Sequence, residues 1–401
     1  LPSVRVIERI AYDTVPLSEY PRIKEGQRIA IFVGAHNRWS EHLTTKVNEF
    51  CRRYNAVVLC DAVSNYKGPY RVIYSLLASQ QQYHSSAGDI DLIIHLGNVS
   101  GAPLLGSVKE VWRVNPDGQI RDTFKRQRFV FEMNEETFFD RYIQLANQQE
   151  SDNSYLEEWK KECKKISNKI PELPFSNAWI AQHTEPYLPA KAVLHLGIYN
   201  SLRHWSFFDM PESVLGYSNT GGFGIDGCIS AMIGATQETE KLVFGVVGDL
   251  AFFYDINALA NRHVKSNLRI LLINNGLGTE FKNADNRAYK LGKLANPYIA
   301  AEGHNARKSR NLVKHFSEDL GFQYMTADNK ESYLKMLPEF IDEKPKKSPV
   351  IFEVFTESEN ETEALQTLYN IEISMTSSAK NIAAAVLGES GIQKVKKLLG
   401  R

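Results

Sequence analysis

The chain has 401 residues, of which 43% are hydrophobic and 23% charged, as expected for a globular protein with two or three domains. Lys plus Arg and Asp plus Glu both number 47, and this zero net charge argues against a nucleic-acid-binding protein. The four cysteines form no C-x-x-C pair, and neither a membrane-spanning run nor a signal peptide is recognisable, so we expect a cytoplasmic protein without disulfides.

Short apolar runs alternate with helical patterns in the first part of the chain. Runs rich in Val and Ile that are separated by helices are typical of β-α-β units, in which helices cover a parallel sheet. The pattern predicts a first, Rossmann-like α/β domain over residues 1–148. Its predicted strands are residues 28–35, 56–61, 90–97, 110–118 and 128–134.

A charged stretch with a helical pattern follows, and we interpret residues 149–175 as a linker with a solvated helix. The β-α-β pattern then resumes and predicts a second α/β domain over residues 176–401. The tail from 377 to 401 is predicted to form a docking or oligomer-forming helix rather than a membrane anchor. The predicted strands of the second domain are residues 192–197, 241–249, 268–276 and 348–355.

Gly222, Gly224 and Gly227 form a G-x-G-x-x-G pattern in the stretch TGGFGIDG. In dinucleotide-binding proteins this pattern makes a tight turn between a strand and a helix. The preceding segment, VLGYSN, is a poor strand, so we favour a loop in which backbone approaches backbone or ligand. A nicotinamide-dependent oxidoreductase is the alternative.

Polar residues follow two neighbouring predicted strands of the second domain. Asp249 ends one strand and Asn275 follows the next, with one helix between them. Because parallel strands end at the same edge of a sheet, these side chains are expected to converge. A carboxylate, an amide oxygen and a backbone carbonyl form an oxygen-only set that suits Mg²⁺ and a phosphate-bearing ligand, with a helix starting near Ala251 offering N–H groups. The alternative is structural: Asp249 caps a helix and Asn274–Asn275 marks a turn.

These motifs resemble those of thiamin diphosphate (ThDP) enzymes, in which Gly-Asp is followed one helix later by Asn-Asn. The stretches SNTGGFGIDG, VVGDLAFFYDINALA and INNG resemble one family in particular, the menaquinone-pathway 2-succinyl-5-enolpyruvyl-6-hydroxy-3-cyclohexene-1-carboxylate synthases. LGIYNSL, IIHLGNVSG, WRVNPDGQIRD and EALQTLY extend the resemblance over most of the chain.

The resemblance implies a ThDP- and Mg²⁺-dependent enzyme that decarboxylates a 2-oxo acid and joins the remainder to an acceptor. It implies that the side chains of Asp249 and Asn275 and the backbone carbonyl of Leu277 bind Mg²⁺. It also implies that Ile225 is an apolar wedge that bends the cofactor. The cofactor-binding residues implied are Asn200, Ser201, Ile225, Gly248, Asp249, Leu250 and Asn275.

ThDP enzymes use a Glu from an N-terminal pyrimidine-binding domain to activate the cofactor, and no Glu of this chain can be assigned that role. We therefore interpret the chain as the middle and diphosphate-binding domains of a longer protein, or as one half of a split pair. By resemblance, its active sites form between subunits of a homodimer or tetramer. We expect the chain alone to be inactive.

The family binds dicarboxylate substrates through basic residues, and four corresponding positions here are neutral: Ala102, Pro103, Trp205 and Thr220. We therefore expect an altered substrate pocket, with Trp205, Thr220 and Arg203 as candidate substrate residues and Lys282 as a further cation nearby. Two alternatives stay open. One is an authentic synthase that joins 2-oxoglutarate to isochorismate through other cations, and the other is a non-catalytic binding or assembly protein of the same fold.

Overall fold

A computed structural model describes residues 5–98, 107–146, 151–222, 224–283, 286–303 and 309–373. Within these ranges the strands form two sheets, and every strand pair in both sheets is parallel. Helices pack on the sheets, which confirms the predicted α/β class. The predicted tail helix and positions 102 and 103 lie outside the described residues.

The first sheet has the strand order β1-β7-β6-β5-β2-β3-β4. Its central strands are apolar and buried along their whole length, as expected for a parallel sheet covered on both faces. The strand predicted at 110–118 ends earlier, because Asn115 starts a turn in which the Gly118 N–H donates to its carbonyl. The strands are β1 (Glu8–Ala11), β2 (Ile29–Val33), β3 (Ala56–Cys60), β4 (Arg71–Ile73), β5 (Asp89–Leu96), β6 (Ser107–Val114) and β7 (Gln127–Glu132), with helices α1 (Glu41–Tyr54), α2 (Ser75–Ala78) and α3 (Glu135–Leu145).

Helix α4 (Ser154–Ser167) occupies the predicted linker. The expectation of a solvated helix is wrong for one of its faces, because Tyr155, Trp159 and Ile166 are buried. That face packs against α2, β3 and β4, and the Tyr155 hydroxyl donates to the Ala87 carbonyl at 2.8 Å. The apolar residues recur at helical spacing among the lysines, so α4 is amphipathic. The domain division at residues 148 and 175 stays a prediction.

The second sheet has the strand order β12-β13-β11-β10-β8-β9. The segment VLGYSN, predicted to be a poor strand, contains β9, which has only four residues and pairs with β8 at the edge of the sheet. The strands are β8 (Val193–Leu196), β9 (Leu215–Ser218), β10 (Val243–Gly248), β11 (Leu268–Asn274), β12 (Gln323–Ala327) and β13 (Val350–Phe355). The helices are α5 (Asn177–Thr184), α6 (Asn200–Trp205), α7 (Cys228–Gln237), α8 (Asp249–Tyr254), α9 (Leu312–Asp319), α10 (Lys330–Phe340) and α11 (Ser358–Tyr369).

The second sheet changes direction between β8 and β10. From β8 the chain moves outward to β9 on one side, and it then returns to β10 on the other side. In open parallel sheets a crevice forms outside the carboxyl ends of strands at such a switch point, and ligands bind there. The fold therefore directs attention to the segments that follow β8 and β10.

The two sheets contact one another through the loop after β3. The Asn65 side chain donates to the Gly216 carbonyl and accepts from the Gly216 N–H, both at 2.8 Å, much as a neighbouring strand would. The carbonyl oxygen of Ala62 lies only 1.8 Å from the position of a Cβ at Gly216. A side chain at position 216 is therefore incompatible with this contact.

We expect Gly216→Ala to lower the free energy of unfolding by at least about 2 kcal/mol, because the added methyl group overlaps backbone that cannot rotate away. Urea unfolding followed by circular dichroism measures the change. Gly234→Ala is the matched control, since no atom lies within 4 Å of its added Cβ, and alanine in a helix such as α7 is neutral or stabilising by up to about 1 kcal/mol. Equal stability of the two variants would contradict the contact.

Candidate functional site

A cavity of about 500 Å³ lies at the carboxyl ends of β8, β10 and β11, where the second sheet changes direction. Its walls come from the segments after these three strands, from residues 224 and 225, and from the helices α5 and α11. The lining residues are Asn177, Gly197, Ile198, Tyr199, Asn200, Ser201, Gly224, Ile225, Gly248, Asp249, Leu250, Ala251, Ile273, Asn275, Leu277, Gly278, Thr279, Glu280, Phe281, Asn286 and Glu361.

The Asp249 carboxylate joins two of these walls. One oxygen accepts from the backbone N–H of Gly276 at 2.7 Å, and the other accepts from the N–H of Leu250 at 2.8 Å. Asp249 is buried and is the first residue of α8 rather than its N-cap, which is Gly248. The segments after β10 and β11 are therefore held together by a carboxylate.

Asn275 lies on the same wall, between β11 and Gly276, whose φ of 76° is in the left-handed region that favours glycine. The Asn275 side-chain oxygen accepts from the Leu277 N–H at 3.3 Å, so Asn275 also takes part in a turn, as the structural alternative expected. Asn275 and Leu277 are buried and line the cavity beside Asp249. The structure thus brings the three predicted metal-binding residues to one cavity.

The donor chemistry of these residues is compatible with Mg²⁺, because a carboxylate, an amide and a backbone carbonyl offer only oxygen atoms. A site rich in His and Cys would favour other metals. Within the described ranges, no group of three or more His, Cys, Asp or Glu residues is placed to hold a metal. A metal here would therefore take only part of its coordination shell from acidic side chains and the rest from other oxygens.

The two adjacent asparagines have different environments. Asn274 donates from its side chain to Glu353 at 2.6 Å, and the Tyr324 hydroxyl donates to the same carboxyl at 2.7 Å. Burial raises the pKa of Glu353, which lies in β13. Asn274 thus fixes the end of β11 to the neighbouring strand, while Asn275 lies at the cavity. Sequence reasoning missed Glu353, whose signal is a single acidic residue within the apolar run VIFEVF.

The start of α6 forms the opposite wall. The Asn200 side chain donates to the Thr279 hydroxyl at 2.6 Å, which connects the segments after β8 and β11. Ser201 is buried next to Asn177, whose side-chain nitrogen lies 3.5 Å from the Ser201 hydroxyl. Both residues predicted to lie along the cofactor are therefore in the cavity wall.

Arg203 also belongs to α6 and forms a bidentate ion pair with Glu280, with N–O distances of 2.7 and 3.0 Å. One of its nitrogens additionally donates to Asn200 at 2.8 Å. Glu280 lines the cavity, whereas Arg203 is not among the lining residues. Glu280, a lining residue, is therefore held by a guanidinium group that is not itself part of the described lining.

Glu361 was missed by sequence reasoning, although it lines the cavity. Its carboxyl accepts from the Asn177 N–H at 3.1 Å and from the Thr356 hydroxyl at 2.6 Å. Burial raises the pKa of Glu361 from 4.5 to about 7, and the nearby charge of Asp249 adds to the shift. An acidic residue in the first turn of a helix is common, so the sequence alone gave no sign of this role.

The remaining predicted residues divide into two groups. Ile225, Gly248 and Leu250 line the cavity together with the residues described above. Trp205 is buried outside the cavity lining, where its indole N–H donates to Asn177 at 2.9 Å. Thr220 lines a second cavity, at the carboxyl edge of the first sheet.

The G-x-G-x-x-G pattern follows the short strand β9 and precedes α7. Positions 219–227 separate the two elements, which makes a longer connection than the tight turn of a dinucleotide site. An added Cβ at Gly222 meets no atom within 4 Å, so no close backbone approach requires glycine there. Neither the tight dinucleotide turn nor the predicted close approach of backbone to backbone is observed at Gly222.

The fold and the cavity define an α/β protein with a cavity at the switch point of a parallel sheet. No protein-family model matches the chain. No helix within the described ranges is long and apolar enough to span a membrane.

Several proteins named 2-succinyl-5-enolpyruvyl-6-hydroxy-3-cyclohexene-1-carboxylate synthase are similar to this chain. The one from Bacteroides fragilis is 32% identical over 263 residues, covering 65% of this chain and 45% of that protein. The one from Bacteroides thetaiotaomicron is 30% identical over 262 residues, with the same shares. The one from Cytophaga hutchinsonii is 27% identical over 354 residues, covering 84% of this chain and 60% of that protein.

The resemblance predicted from the motifs is confirmed, since this chain and these synthases are related in sequence. The chain spans about half the length of the Bacteroides relatives, at 45% of each. The activity of the full-length relatives is therefore only proposed for this chain, below.

The raised pKa of Glu361 makes stability depend on pH. Its contribution is fully present below pH 4.5 and is lost as the pH rises through about 7, because over this range the unfolded chain ionises the carboxyl while the folded chain keeps it protonated. We compare the free energy of unfolding of Glu361→Gln with that of the unmodified chain. We expect this difference to shift in favour of the variant by on the order of 1–3 kcal/mol from pH 5 to pH 8. Urea unfolding at both pH values measures this difference.

Glu363→Gln is the control, since Glu363 lies exposed on the same helix. It should leave the pH dependence of stability unchanged. If the difference in free energy of unfolding between Glu361→Gln and the unmodified chain is the same at pH 5 and pH 8, burial does not raise the pKa of Glu361.

Proposed function

We propose that this chain is the C-terminal part of a ThDP- and Mg²⁺-dependent enzyme that decarboxylates a 2-oxo acid and ligates the product to an acceptor. One observation carries the proposal: Asp249 bridges the segments after β10 and β11 at a cavity that is located where parallel sheets bind ligands. The relationship to the synthases supports it independently.

In this proposal Asp249, Asn275 and the Leu277 carbonyl hold Mg²⁺, and the metal binds the diphosphate of the cofactor. The charge of the cavity is consistent with this role. Its lining, as far as the structure describes it, includes the carboxyl groups of Asp249, Glu280 and Glu361 and no Lys, Arg or His. A diphosphate would be repelled from such a cavity unless a divalent cation lay between the negative charges.

The other lining residues orient the cofactor. Asn200 and Ser201 lie at the start of α6 and offer polar groups, while Ile225 offers an apolar surface on which the cofactor bends. When bound, ThDP supplies the carbanion chemistry that decarboxylation of a 2-oxo acid requires. The protein contributes position, charge and exclusion of water.

The proposal leaves cofactor activation to a group outside this chain, in a pyrimidine-binding domain or a companion subunit. Residues 1–148 would form the middle domain and residues 176–401 the diphosphate-binding domain, in a homodimer or tetramer. The chain alone would then bind the metal–diphosphate part of the cofactor without turnover.

We expect the chain to bind ThDP, and inorganic pyrophosphate as a simpler probe, in the presence of Mg²⁺. Asp249→Ala should weaken both by at least tenfold, because it removes the only carboxylate of the proposed ligand set and the contact with Gly276. Isothermal titration calorimetry with and without Mg²⁺ measures the effect. Asp319→Ala, an exposed position at the end of α9, is the control and should bind normally.

Unchanged affinity in Asp249→Ala would refute the metal assignment and leave a non-catalytic protein of the same fold as the better interpretation. The relatives favour one specific second function, the synthase reaction itself. Assays with 2-oxoglutarate and isochorismate, on the chain together with its pyrimidine-binding domain, distinguish the two. Formation of the synthase product would contradict the expectation of an altered substrate pocket and support the synthase reaction instead.

A further inference from the structure

The ion pair between Arg203 and Glu280 is a second feature of the cavity wall. The two side chains are 17% and 24% exposed, and both guanidinium–carboxylate bonds are short. Asn283 also donates to the Glu280 carboxylate, at 3.2 Å. A bidentate pair in a partly buried place is a strong and directional contact, unlike an ion pair on an open surface.

This ion pair occupies the guanidinium group of Arg203, which can bind a planar carboxylate in a bidentate manner. Lys282 is also close in sequence, but its amine donates to the Gly292 carbonyl at 3.0 Å. The cavity itself is lined by carboxyl groups without a cation among its described lining residues. A second carboxylate on a substrate would therefore meet repulsion at this wall rather than a partner.

We propose that Glu280 acts as an internal substitute for a substrate carboxylate, so that this wall selects substrates with an uncharged end over dicarboxylates. The inference rests on the proposed function and specifies its substrate class: a 2-oxo acid, or an acceptor, that presents an uncharged group to Arg203 and Glu280. Glu280 is a specificity-determining residue in this proposal, because it occupies the place beside Arg203 where a substrate carboxylate would otherwise bind.

The physical argument is a competition for one guanidinium group. A carboxylate fixed in the protein pays no translational entropy to reach Arg203, whereas a free substrate carboxylate does. An incoming anion would also have to displace Glu280 and leave that carboxylate without its partner in a partly buried place. Removing the Glu280 charge removes both obstacles and should make Arg203 available to an anion.

The test compares two probes of equal chain length, 2-oxoglutarate and 2-oxopentanoate, which differ in the terminal carboxylate. Their affinities for the full chain are measured by calorimetry, with and without ThDP and Mg²⁺. In the unmodified chain we expect 2-oxoglutarate to bind no more tightly than 2-oxopentanoate. In Glu280→Gln we expect the affinity for 2-oxoglutarate to rise at least tenfold, while that for 2-oxopentanoate changes less than threefold.

Two further variants make the result specific. Adding Arg203→Met to Glu280→Gln should abolish the gain, because the freed guanidinium is its cause. Glu240→Gln breaks an ion pair with Lys265 near the amino end of β10, away from the cavity, and should change neither affinity. Glu280→Ala replaces Glu280→Gln if the latter does not fold, with the same expected gain.

A folded Glu280 variant without a gain for 2-oxoglutarate overturns the inference, as does tenfold tighter binding of 2-oxoglutarate than of 2-oxopentanoate by the unmodified chain. Failure of the proposed function gives a different result, namely no effect of Asp249→Ala on binding of ThDP and Mg²⁺. The two failures can be told apart because the dicarboxylate comparison is also made without cofactor.

Discussion

The hydrogen bond between the Asp249 carboxylate and the Gly276 N–H is the contact on which the cavity depends. It joins the ends of two strands that are already neighbours in register, with Gly248 opposite Ile273. The parallel sheet brings the two segments to the same edge, and the buried carboxylate then fixes their separation. Asn275, which directly precedes Gly276, is positioned by the same contact.

The cavity has an unusual charge for a site proposed to bind an anionic cofactor. Its three carboxyl groups have different environments. Asp249 accepts hydrogen bonds from backbone N–H groups, and Glu280 pairs with Arg203. Burial raises the pKa of Glu361 to about 7. In the proposed function, the positive charge needed to bind a diphosphate would come from a metal ion rather than from side chains. The same carboxyl groups disfavour the binding of an anionic substrate group that does not bind a metal, because the described lining residues include no cation.

The strands that position the site were predictable because β10 and β11 are continuous apolar runs, which buried parallel strands require. The convergence of residues 249 and 275 followed from the same reasoning. The edge strand β9 was predicted only as a poor strand, because it is short and contains Gly216. Its contact with Asn65 was not predictable, since Asn65 is 151 positions away in the sequence.

The charged groups of the cavity were harder to predict than its backbone. Arg203 and Glu280 are separated by 77 positions, and nothing local in either segment indicates that they meet. Glu353 interrupts an apolar run, but its partner Asn274 is 79 positions away in the sequence. Glu361 accepts from the N–H of Asn177, which is 184 positions away, so neither contact could be predicted from the local sequence. The buried face of α4 was missed for a related reason, because its four buried apolar positions lie among lysines in the sequence.

The contact between Asn65 and Gly216 has a bearing on how the chain can be divided. Asn65 satisfies backbone groups on the outer side of β9 that would otherwise be exposed at the end of the second sheet. A fragment cut to contain the second sheet alone would present those groups to solvent and to other molecules of itself, which favours edge-to-edge aggregation. Recombinant work on the cavity is therefore best carried out on chains that retain the segment around residue 65.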